Sequence, residues 1–166
     1  MVRAALTHAD ALYNFARWLS GDPRNAEDLV QETYVRALSA AHQFQFGSNL
    51  KAWLFRILRN IYLDGRRGSK PELVELEAEG VADTATPGGA PGGEAQSEQM
   101  RALVADEVAT VVRALPEAWR TVVLLDLEGM TEAEMASVLG CAEGTIKSRL
   151  SRARGALRER LAAYRP

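Results

Sequence analysis

The residues with the clearest chemical purpose are basic side chains along the C-terminal stretch of the chain. From Gly144 onward the only acidic residue is Glu159, whereas seven residues are basic: Lys147, Arg149, Arg152, Arg154, Arg158, Arg160 and Arg165. Lysine and arginine neutralise DNA phosphates, and arginine can also bind a guanine edge with two hydrogen bonds. The stretch therefore predicts a helix that binds nucleic acid, although many arginine-rich helices only present a solvated face or bind a protein partner.

Two helices around a glycine turn would position these basic side chains. Thr131 and Glu134 have the spacing of a capping box, a pattern that begins a helix. Gly140 supplies the backbone freedom that a tight turn between helices needs. Apolar residues then recur at helical spacing from Ile146 to Leu161. A short helix, a glycine turn and a basic helix are the layout of a DNA-reading helix-turn-helix.

The single cysteine and the absence of long apolar runs narrow the remaining possibilities. Cys141 cannot build a disulfide or a metal site alone, and we expect it to be a small buried side chain. No apolar run is long enough to span a bilayer, no signal peptide is visible, and a lone cysteine suits a reducing compartment. We therefore expect a cytoplasmic protein with no metal and no cofactor.

Charge and composition divide the chain into two parts. The 166 residues carry a net charge of −2, with basic side chains clustered between Lys51 and Lys70 and acidic ones between Glu72 and Glu107. Residues 84–93 read TATPGGAPGG, which is typical of a flexible tether. No strand-like alternation lies on either side of it. The sequence thus predicts an all-α protein with a first domain at residues 1–69, a linker at 70–96, and a second domain at 97–166 that contains the helix-turn-helix.

The first domain is expected to hold three helices. The first runs from Ala5 to Leu19 and is stopped by Gly21 and Pro23. Asn25 is expected to cap the second helix. The inner face of this second helix would consist of Val30, Tyr34, Ala37, Leu38 and Ala41. Three polar residues fall together on another side, where helical spacing alone favours an ordinary solvated face: Asp28, Gln31 and Glu32.

Ser48 is expected to cap the third helix, which forms the core of this domain. Its apolar positions fit the helical period: Leu50, Trp53, Leu54, Ile57, Leu58 and Ile61. Its remaining positions carry Lys51, Phe55, Arg56, Arg59 and Asn60. In the preceding loop, Phe44 and Phe46 could stack on the bases of a single strand whose backbone the basic helix holds. The same two rings could instead only pack the loop onto the core, which is the commoner fate of such rings.

Four segments, taken in order, resemble small bacterial sigma factors of the extracytoplasmic-function group: AEDLVQETYVRAL, LKAWLFRILRNIYLDGRR, LPEAWRTVVLLDLEGMTEAEMA and GTIKSRLSRARGAL. The resemblance covers nearly the whole chain outside the linker. It implies a first domain that binds the clamp helices of the RNA polymerase beta-prime subunit and opens the minus-ten promoter element. It implies a second domain that reads the minus-thirty-five element as duplex. Its implied partners are core RNA polymerase (beta-prime and beta subunits), promoter DNA and an anti-sigma protein.

Matched position by position, the resemblance gives three groups of residues a role. The polymerase-binding group is Asp28, Gln31 and Glu32. The minus-ten group is Phe44, Phe46, Ser48, Asn49, Trp53, Arg56, Arg59 and Asn60. The minus-thirty-five group is Arg120, Thr145, Lys147, Ser148, Arg149, Ser151 and Arg152. One position departs from the family, because Ala142 stands where a serine commonly caps the recognition helix, and losing such a cap costs about 0.5–2 kcal/mol.

Three other classes of function compete with this interpretation. A dimeric repressor or response-regulator output domain would use the same helix-turn-helix on palindromic half-sites without polymerase. An interaction module would use the first domain to sequester a regulator. An enzyme is the weakest alternative, because His8 and His42 lie on different elements with no triad or metal-ligand spacing nearby. We therefore expect no catalytic activity from the chain itself.

Overall fold

The structure is a computed structural model that describes residues 1–68 and 93–163, with side chains described for 1–66 and 98–163. The described residues form eight α-helices and one 3-10 turn, and they contain no strand. The helices are α1 (Val2–Leu6), α2 (Ala9–Ser20), α3 (Pro23–Ser39), α4 (Leu50–Gly68), α5 (Gly93–Arg113), α6 (Glu117–Leu127), α7 (Glu132–Leu139) and α8 (Glu143–Ala162). The predicted all-α class, with two helical domains, is confirmed. Most of the predicted linker, residues 70–92, lies outside the described residues.

The N-terminal segment differs from the single helix that its apolar spacing predicts. α1 ends at Leu6 and α2 begins at Ala9, with His8 at the N-cap position of α2. The Thr7 hydroxyl donates to the Ala4 carbonyl at 2.6 Å, a local bond that competes with continued helix. α2 ends at Ser20, and the predicted stop Gly21 is its C-cap, with a φ of 70° in the left-handed region that favours glycine.

α3 begins earlier than predicted, because its cap is Asp22 and not Asn25. The Asp22 carboxylate accepts a hydrogen bond from the Arg24 amide at 3.0 Å, and Pro23 occupies the first helical position. Proline suits that position because its fixed φ is helical and its missing amide would have no partner there. The buried face of α3 is centred on Ala26, Thr33 and Ala37.

Leu38 was predicted to lie on the inner face of α3, but it is exposed. It follows Ala37 by one residue, a rotation of about 100° around the helix, which turns it away from the core.

Two predictions about α4, its capping residue and the exposure of Phe55, are wrong. Its cap is Asn49 and not Ser48, since the Asn49 Oδ1 accepts from the Ala52 amide at 3.2 Å, whereas the Ser48 hydroxyl donates to Gln45. Phe55, placed among the polar positions by its spacing, is fully buried with its ring centroid 4.9 Å from that of Phe15. The reason is that α2, α3 and α7 all pack against α4, so its buried arc is wider than one amphipathic stripe.

One hydrophobic core extends across both domains. From the first domain it contains Leu12, Leu54, Phe55 and Leu58, and from the second Val122, Leu125, Met135, Val138 and Ile146. A smaller cluster of Leu115, Val123 and Ala153 holds α6 against α8. The two domains are therefore in direct contact, chiefly through α4 and α7. None of the described helices is long and apolar enough to cross a membrane.

Candidate nucleic-acid interface

The helix-turn-helix forms as its local signals predict. The Thr131 hydroxyl accepts from the Glu134 amide at 3.2 Å, and the Glu134 carboxylate accepts from the Thr131 amide at 2.8 Å. These reciprocal bonds are the predicted capping box. Gly140 ends α7 with a φ of 63°. α8 then begins behind Ala142 without any side-chain cap.

α8 is anchored on one side and exposed on the other. Ile146, Leu150 and Ala153 are buried. The opposite face exposes two cations and two hydroxyls: Lys147, Ser148, Ser151 and Arg152. Cations bind phosphates, and hydroxyl and guanidinium groups bind base edges, so this face has the chemistry for reading a groove. Thr145 and Arg149, assigned to the same group by sequence, are half-buried at its edge.

Three basic residues of this domain, Lys147, Arg154 and Arg120, have partners within the protein. The Lys147 ammonium lies 3.7 Å from the Glu132 carboxylate, and both side chains are well exposed. Arg154 forms a 3.0 Å ion pair with Asp126 on α6. The half-buried Arg120 guanidinium donates to the carbonyl of Arg113, at the end of α5, at 3.1 Å. Exposed ion pairs of this kind are weak, so Lys147 can exchange its partner for a phosphate at little cost.

The loop before α4 that contains Phe44 and Phe46, which we call the aromatic loop, has one ring packed against the protein and one ring exposed to solvent. Phe44 is half-buried, with its centroid 5.2 Å from that of Trp53. Phe46 meets Phe44 edge-on at 6.2 Å and is 92% exposed. Phe44 thus holds the loop on the core, and Phe46 is the ring whose face is open to a nucleic-acid base.

The polar residues assigned to the minus-ten group fall into two sets. Ser48, Arg56 and Asn60 are exposed to solvent. Asn49 and Arg59 contact the second domain. Burial lowers the pKa of the Arg59 guanidinium, against the opposing influence of Cys141 and Glu117. Cys141 itself is half-buried and not fully buried as expected.

The acidic side of α3 is exposed over its length. Asp28, Gln31 and Glu32 share one face, and Glu32 accepts a 2.9 Å hydrogen bond from Arg36. Val35 and Leu38 continue this face and are 58% and 55% exposed. The sequence interpretation gave Val35 no role and placed Leu38 on the inner face of the helix. The face therefore combines carboxylates with an apolar end, as protein-binding surfaces commonly do.

Comparisons with known proteins agree with the division of the chain into two helical domains. Family models of sigma-70 region 2 and sigma-70 region 4 match residues 5–71 and 105–157. The ECF RNA polymerase sigma factor EcfG of Rhodopseudomonas palustris is 39% identical over 143 residues, which span 86% of this chain and 74% of that protein. SigL of Mycobacterium tuberculosis, another ECF sigma factor, is 36% identical over 84% of this chain and 76% of its own length.

Two solved structures resemble the whole fold. The sigma factor RpoE from Bartonella quintana, in complex with the anti-sigma factor NepR, superposes with a TM-score of 0.72 at 33% identity, covering 98% of this chain and 97% of RpoE. CnrH, in complex with the cytosolic domain of CnrY, gives a TM-score of 0.63 at 28% identity, covering 97% of this chain and 86% of CnrH. No cluster of metal-binding side chains occurs among the residues that the structure describes.

Proposed function

The chain belongs to the extracytoplasmic-function group of sigma-70 factors, and from this premise we propose how its surfaces divide the work of an alternative sigma factor. Such a factor binds core RNA polymerase and directs it to promoters. The observation that carries the proposal is the exposed face of α8 on a complete helix-turn-helix, joined to a first domain that matches region 2. A helix-turn-helix repressor accounts for the second domain only.

The polymerase-binding surface is the exposed side of α3. Asp28, Gln31 and Glu32 supply its polar part, and Val35 and Leu38 supply an apolar part next to it. We place the clamp helices of the beta-prime subunit here, and contact with the beta subunit follows from the same assembly. Apolar contact would supply affinity, and the carboxylates would set orientation by charge complementarity.

We assign the opening of the promoter strands to the aromatic loop and α4. Phe46 offers a free ring on which an unstacked base can lie, and the exposed Arg56 and Asn60 stand on the following helix. Stacking on aromatic rings is worth about 1–3 kcal/mol per base, which offsets the loss of base stacking in the duplex. Phe44 and Trp53 would support the loop from below.

Reading of the minus-thirty-five element falls to α8. Lys147, Ser148, Ser151 and Arg152 face solvent together, with Thr145 and Arg149 at the edge of the face. Phosphate contacts would fix the register of the helix, and base contacts would give sequence preference. Arg120 would have to leave the Arg113 carbonyl in order to reach a phosphate.

This division of work needs no catalytic group, since the polymerase performs the chemistry, and we propose that the chain is not an enzyme. RpoE of Bartonella quintana was solved with an anti-sigma factor, and an inhibitory partner of the same class is proposed for this chain. We propose that the chain is located in the bacterial cytoplasm and is on the nucleoid when it is bound to polymerase.

A competition assay against sigma-free core polymerase tests the docking surface. Charge reversal of Asp28 and Glu32 should weaken binding to core polymerase but change the unfolding free energy by no more than about 0.5 kcal/mol per site, since both are exposed. Asp10→Lys, an exposed charge reversal on α2, is the matched control and should bind normally. Unchanged affinity of the Asp28 and Glu32 variants would mean that this surface does not bind core polymerase.

A further inference from the structure

α8 contains a glycine, Gly155, in the interior of the helix and on its outward side. Gly155 follows Ser151 by four residues and Arg152 by three, so it lies on the same face as these residues, one turn further along. A Cβ added at Gly155 would meet no atom within 4 Å, and the φ of Gly155 is not positive. The fold would therefore accept alanine at this position without strain.

The glycine weakens the helix and gains nothing for the fold. Glycine in a helix interior lowers the folded-to-unfolded ratio by about 2- to 5-fold relative to alanine, because its backbone loses more entropy on folding. Gly155 forms no cap, since α8 continues to Ala162, and no described atom packs against the position of its missing side chain. The bare backbone is thus open to a molecule that approaches α8 from outside.

Arg158 places an available positive charge beside this bare backbone. It follows Gly155 by three residues and Lys147 by eleven, which puts it in the same row along the exposed side of α8. Arg154, in the same row, is held in a 3.0 Å ion pair with α6. Arg158 is exposed and has no hydrogen bond or ion pair in the part of the chain that the structure describes.

The length of this row points to a DNA phosphate as the ligand. Eleven helical residues span about 16 Å, whereas the major groove is about 12 Å wide. When Lys147 lies at the groove, Arg158 therefore lies at the sugar-phosphate strand on its edge. A guanidinium binds phosphate oxygens with two hydrogen bonds. Glu159 follows Gly155 by four residues on the other side, so the phosphate would lie on the Arg158 side of Gly155.

We propose that Gly155 and Arg158 form a phosphate-binding site, which we call the phosphate site, and that it holds the edge of the duplex against the C-terminal half of α8. Gly155 admits the strand close to the helix backbone, and Arg158 holds its phosphate. This inference rests on the proposed function, because it takes α8 as the helix that reads the groove. It extends the DNA contact by about two turns beyond Arg152, the last residue assigned to the minus-thirty-five group.

Variants of Gly155 should change stability and duplex affinity in opposite directions. In urea denaturation of the full chain, Gly155→Ala and Gly155→Leu should raise the folded-to-unfolded ratio by about 2- to 5-fold. Both should bind a fluorescent mixed-sequence DNA duplex about 2- to 5-fold more weakly, leucine more than alanine, because the added side chain holds the phosphate away from Arg158. A stabilised Gly155→Leu chain with wild-type duplex affinity would overturn the phosphate site.

Gly65→Ala is the matched control for these variants. Gly65 is also a helical glycine, in α4, and a Cβ added to it would meet no atom within 4 Å. Its replacement should raise stability by a similar factor and leave the duplex affinity unchanged. A loss of duplex affinity in Gly65→Ala as large as that in Gly155→Ala would also contradict the phosphate site.

Arg160 provides the control for the charge of Arg158. Both residues are exposed, and neither has a partner among the described residues, but they point about 200° apart around α8. Arg158→Ala should weaken duplex binding and reduce the salt slope by about one, whereas Arg160→Ala should keep the wild-type slope. The ratio of the two affinities should fall about 3-fold between about 50 and 200 mM salt. Equal affinities and equal slopes would overturn the role of Arg158.

A double variant tests whether the two residues act on one phosphate. Gly155→Leu combined with Arg158→Ala should bind the duplex no more weakly than the weaker single variant, since both changes remove the same contact. Losses that add in full would mean that the two residues act separately, and a single site would be wrong.

Transcription with core polymerase, measured in parallel, separates the phosphate site from the proposed function. If the chain directs transcription but Arg158→Ala binds the duplex like Arg160→Ala, the phosphate site is wrong and the proposed function stands. If the variants bind as expected but the chain yields no transcripts with polymerase, the phosphate site stands and the proposed function fails. A wild-type chain that does not bind the duplex at about 50 mM salt would overturn the phosphate site in either case.

Discussion

Asn49 and Glu134 join the caps of two helices that belong to different domains. Asn49 caps α4 through its Oδ1 and donates from its Nδ2 to one oxygen of Glu134, whose other oxygen completes the capping box of α7. The start of the helix-turn-helix is thus bonded directly to the start of α4. Any movement of one domain against the other must break this bond.

Glu134 should make the protein sensitive to acid. The hydrogen bond from Asn49, followed by that from the Thr131 amide, lowers the pKa of Glu134. A carboxyl whose pKa is lower in the folded chain stabilises it above the unfolded pKa, and the stabilisation is lost as the pH falls through the folded pKa. Urea denaturation across the acid range should show this loss, and Glu134→Gln should flatten it. An unchanged pH slope in the variant would contradict the assignment.

His8 should add a second pH dependence closer to neutrality. Burial, and then the positive charge of Lys51, lowers the pKa of His8, while Glu128 acts in the opposite direction. The unfolded chain then takes up the proton first, so the unfolding free energy should fall as the pH drops below about 6.5. Replacing His8 by Gln should remove that decrease, whereas the same change at the exposed His42 should leave it. If the unfolding free energy of His8→Gln still decreases below about pH 6.5, a group other than His8 causes the decrease.

Ala142→Ser should stabilise the second domain. Ala142 has the extended backbone of an N-cap residue, with φ −72° and ψ 149°, but no side chain to accept an amide hydrogen bond. Serine there should add about 0.5–2 kcal/mol to the unfolding free energy. Ala133→Ser, an exposed change inside the first turn of α7, should give no such gain. Denaturant unfolding measures the stability of each variant. Equal unfolding free energies for Ala142→Ser and Ala133→Ser would mean that α8 does not need a side-chain cap.

Phe46→Ala should impair promoter opening more than closed-complex formation. The ring is 92% exposed, so its loss should cost little stability, but it removes a stacking surface worth about 1–3 kcal/mol per base. Permanganate footprinting of the polymerase complex would detect the unpaired thymines. Trp53→Ala is the contrasting variant, because Trp53 packs against Phe44 and its loss should reduce folding stability first. Normal opening by Phe46→Ala would refute the role of the ring.

Arg152 and Lys147 should differ in what they contribute to upstream recognition. Five residues separate them on α8, which turns them about 140° apart. Both side chains are exposed, and the Lys147 ammonium lies 3.7 Å from the Glu132 carboxylate. Arg152→Ala should relax the base preference, worth about 1–3 kcal/mol at one position. Lys147→Ala should weaken binding evenly and reduce the salt slope by about one. Transcription from single-base variants of the upstream element measures both, and a wild-type preference in Arg152→Ala would show that another residue reads the base.

Local signals predicted the helix-turn-helix correctly because each depends on residues a few positions apart. The Thr131 and Glu134 capping box and the Gly140 turn both formed as expected. The start of α3 was misplaced because Asp22 and Asn25 are both good caps, and Pro23 decides between them. Phe55 and Leu38 were misplaced because their burial depends on which other helices cover α4 and α3.

The contact between the domains had no signal in the sequence. Asn49 and Glu134 are 85 positions apart, and Lys51 and Glu128 are 77 apart. Nothing in the spacing or type of these residues indicates that they pair, since each has an ordinary local role as a cap or a solvated charge. Tertiary packing alone brings them together.

The most direct test of the central claim is transcription by sigma-free core polymerase from a library of templates with randomised upstream DNA. Transcripts are expected only when the chain is added, and the selected templates should share two elements at a fixed separation. Arg152→Ala should alter the upstream element alone. If the chain binds palindromic DNA without polymerase and yields no transcripts with it, the chain is a repressor and the sigma-factor account is wrong.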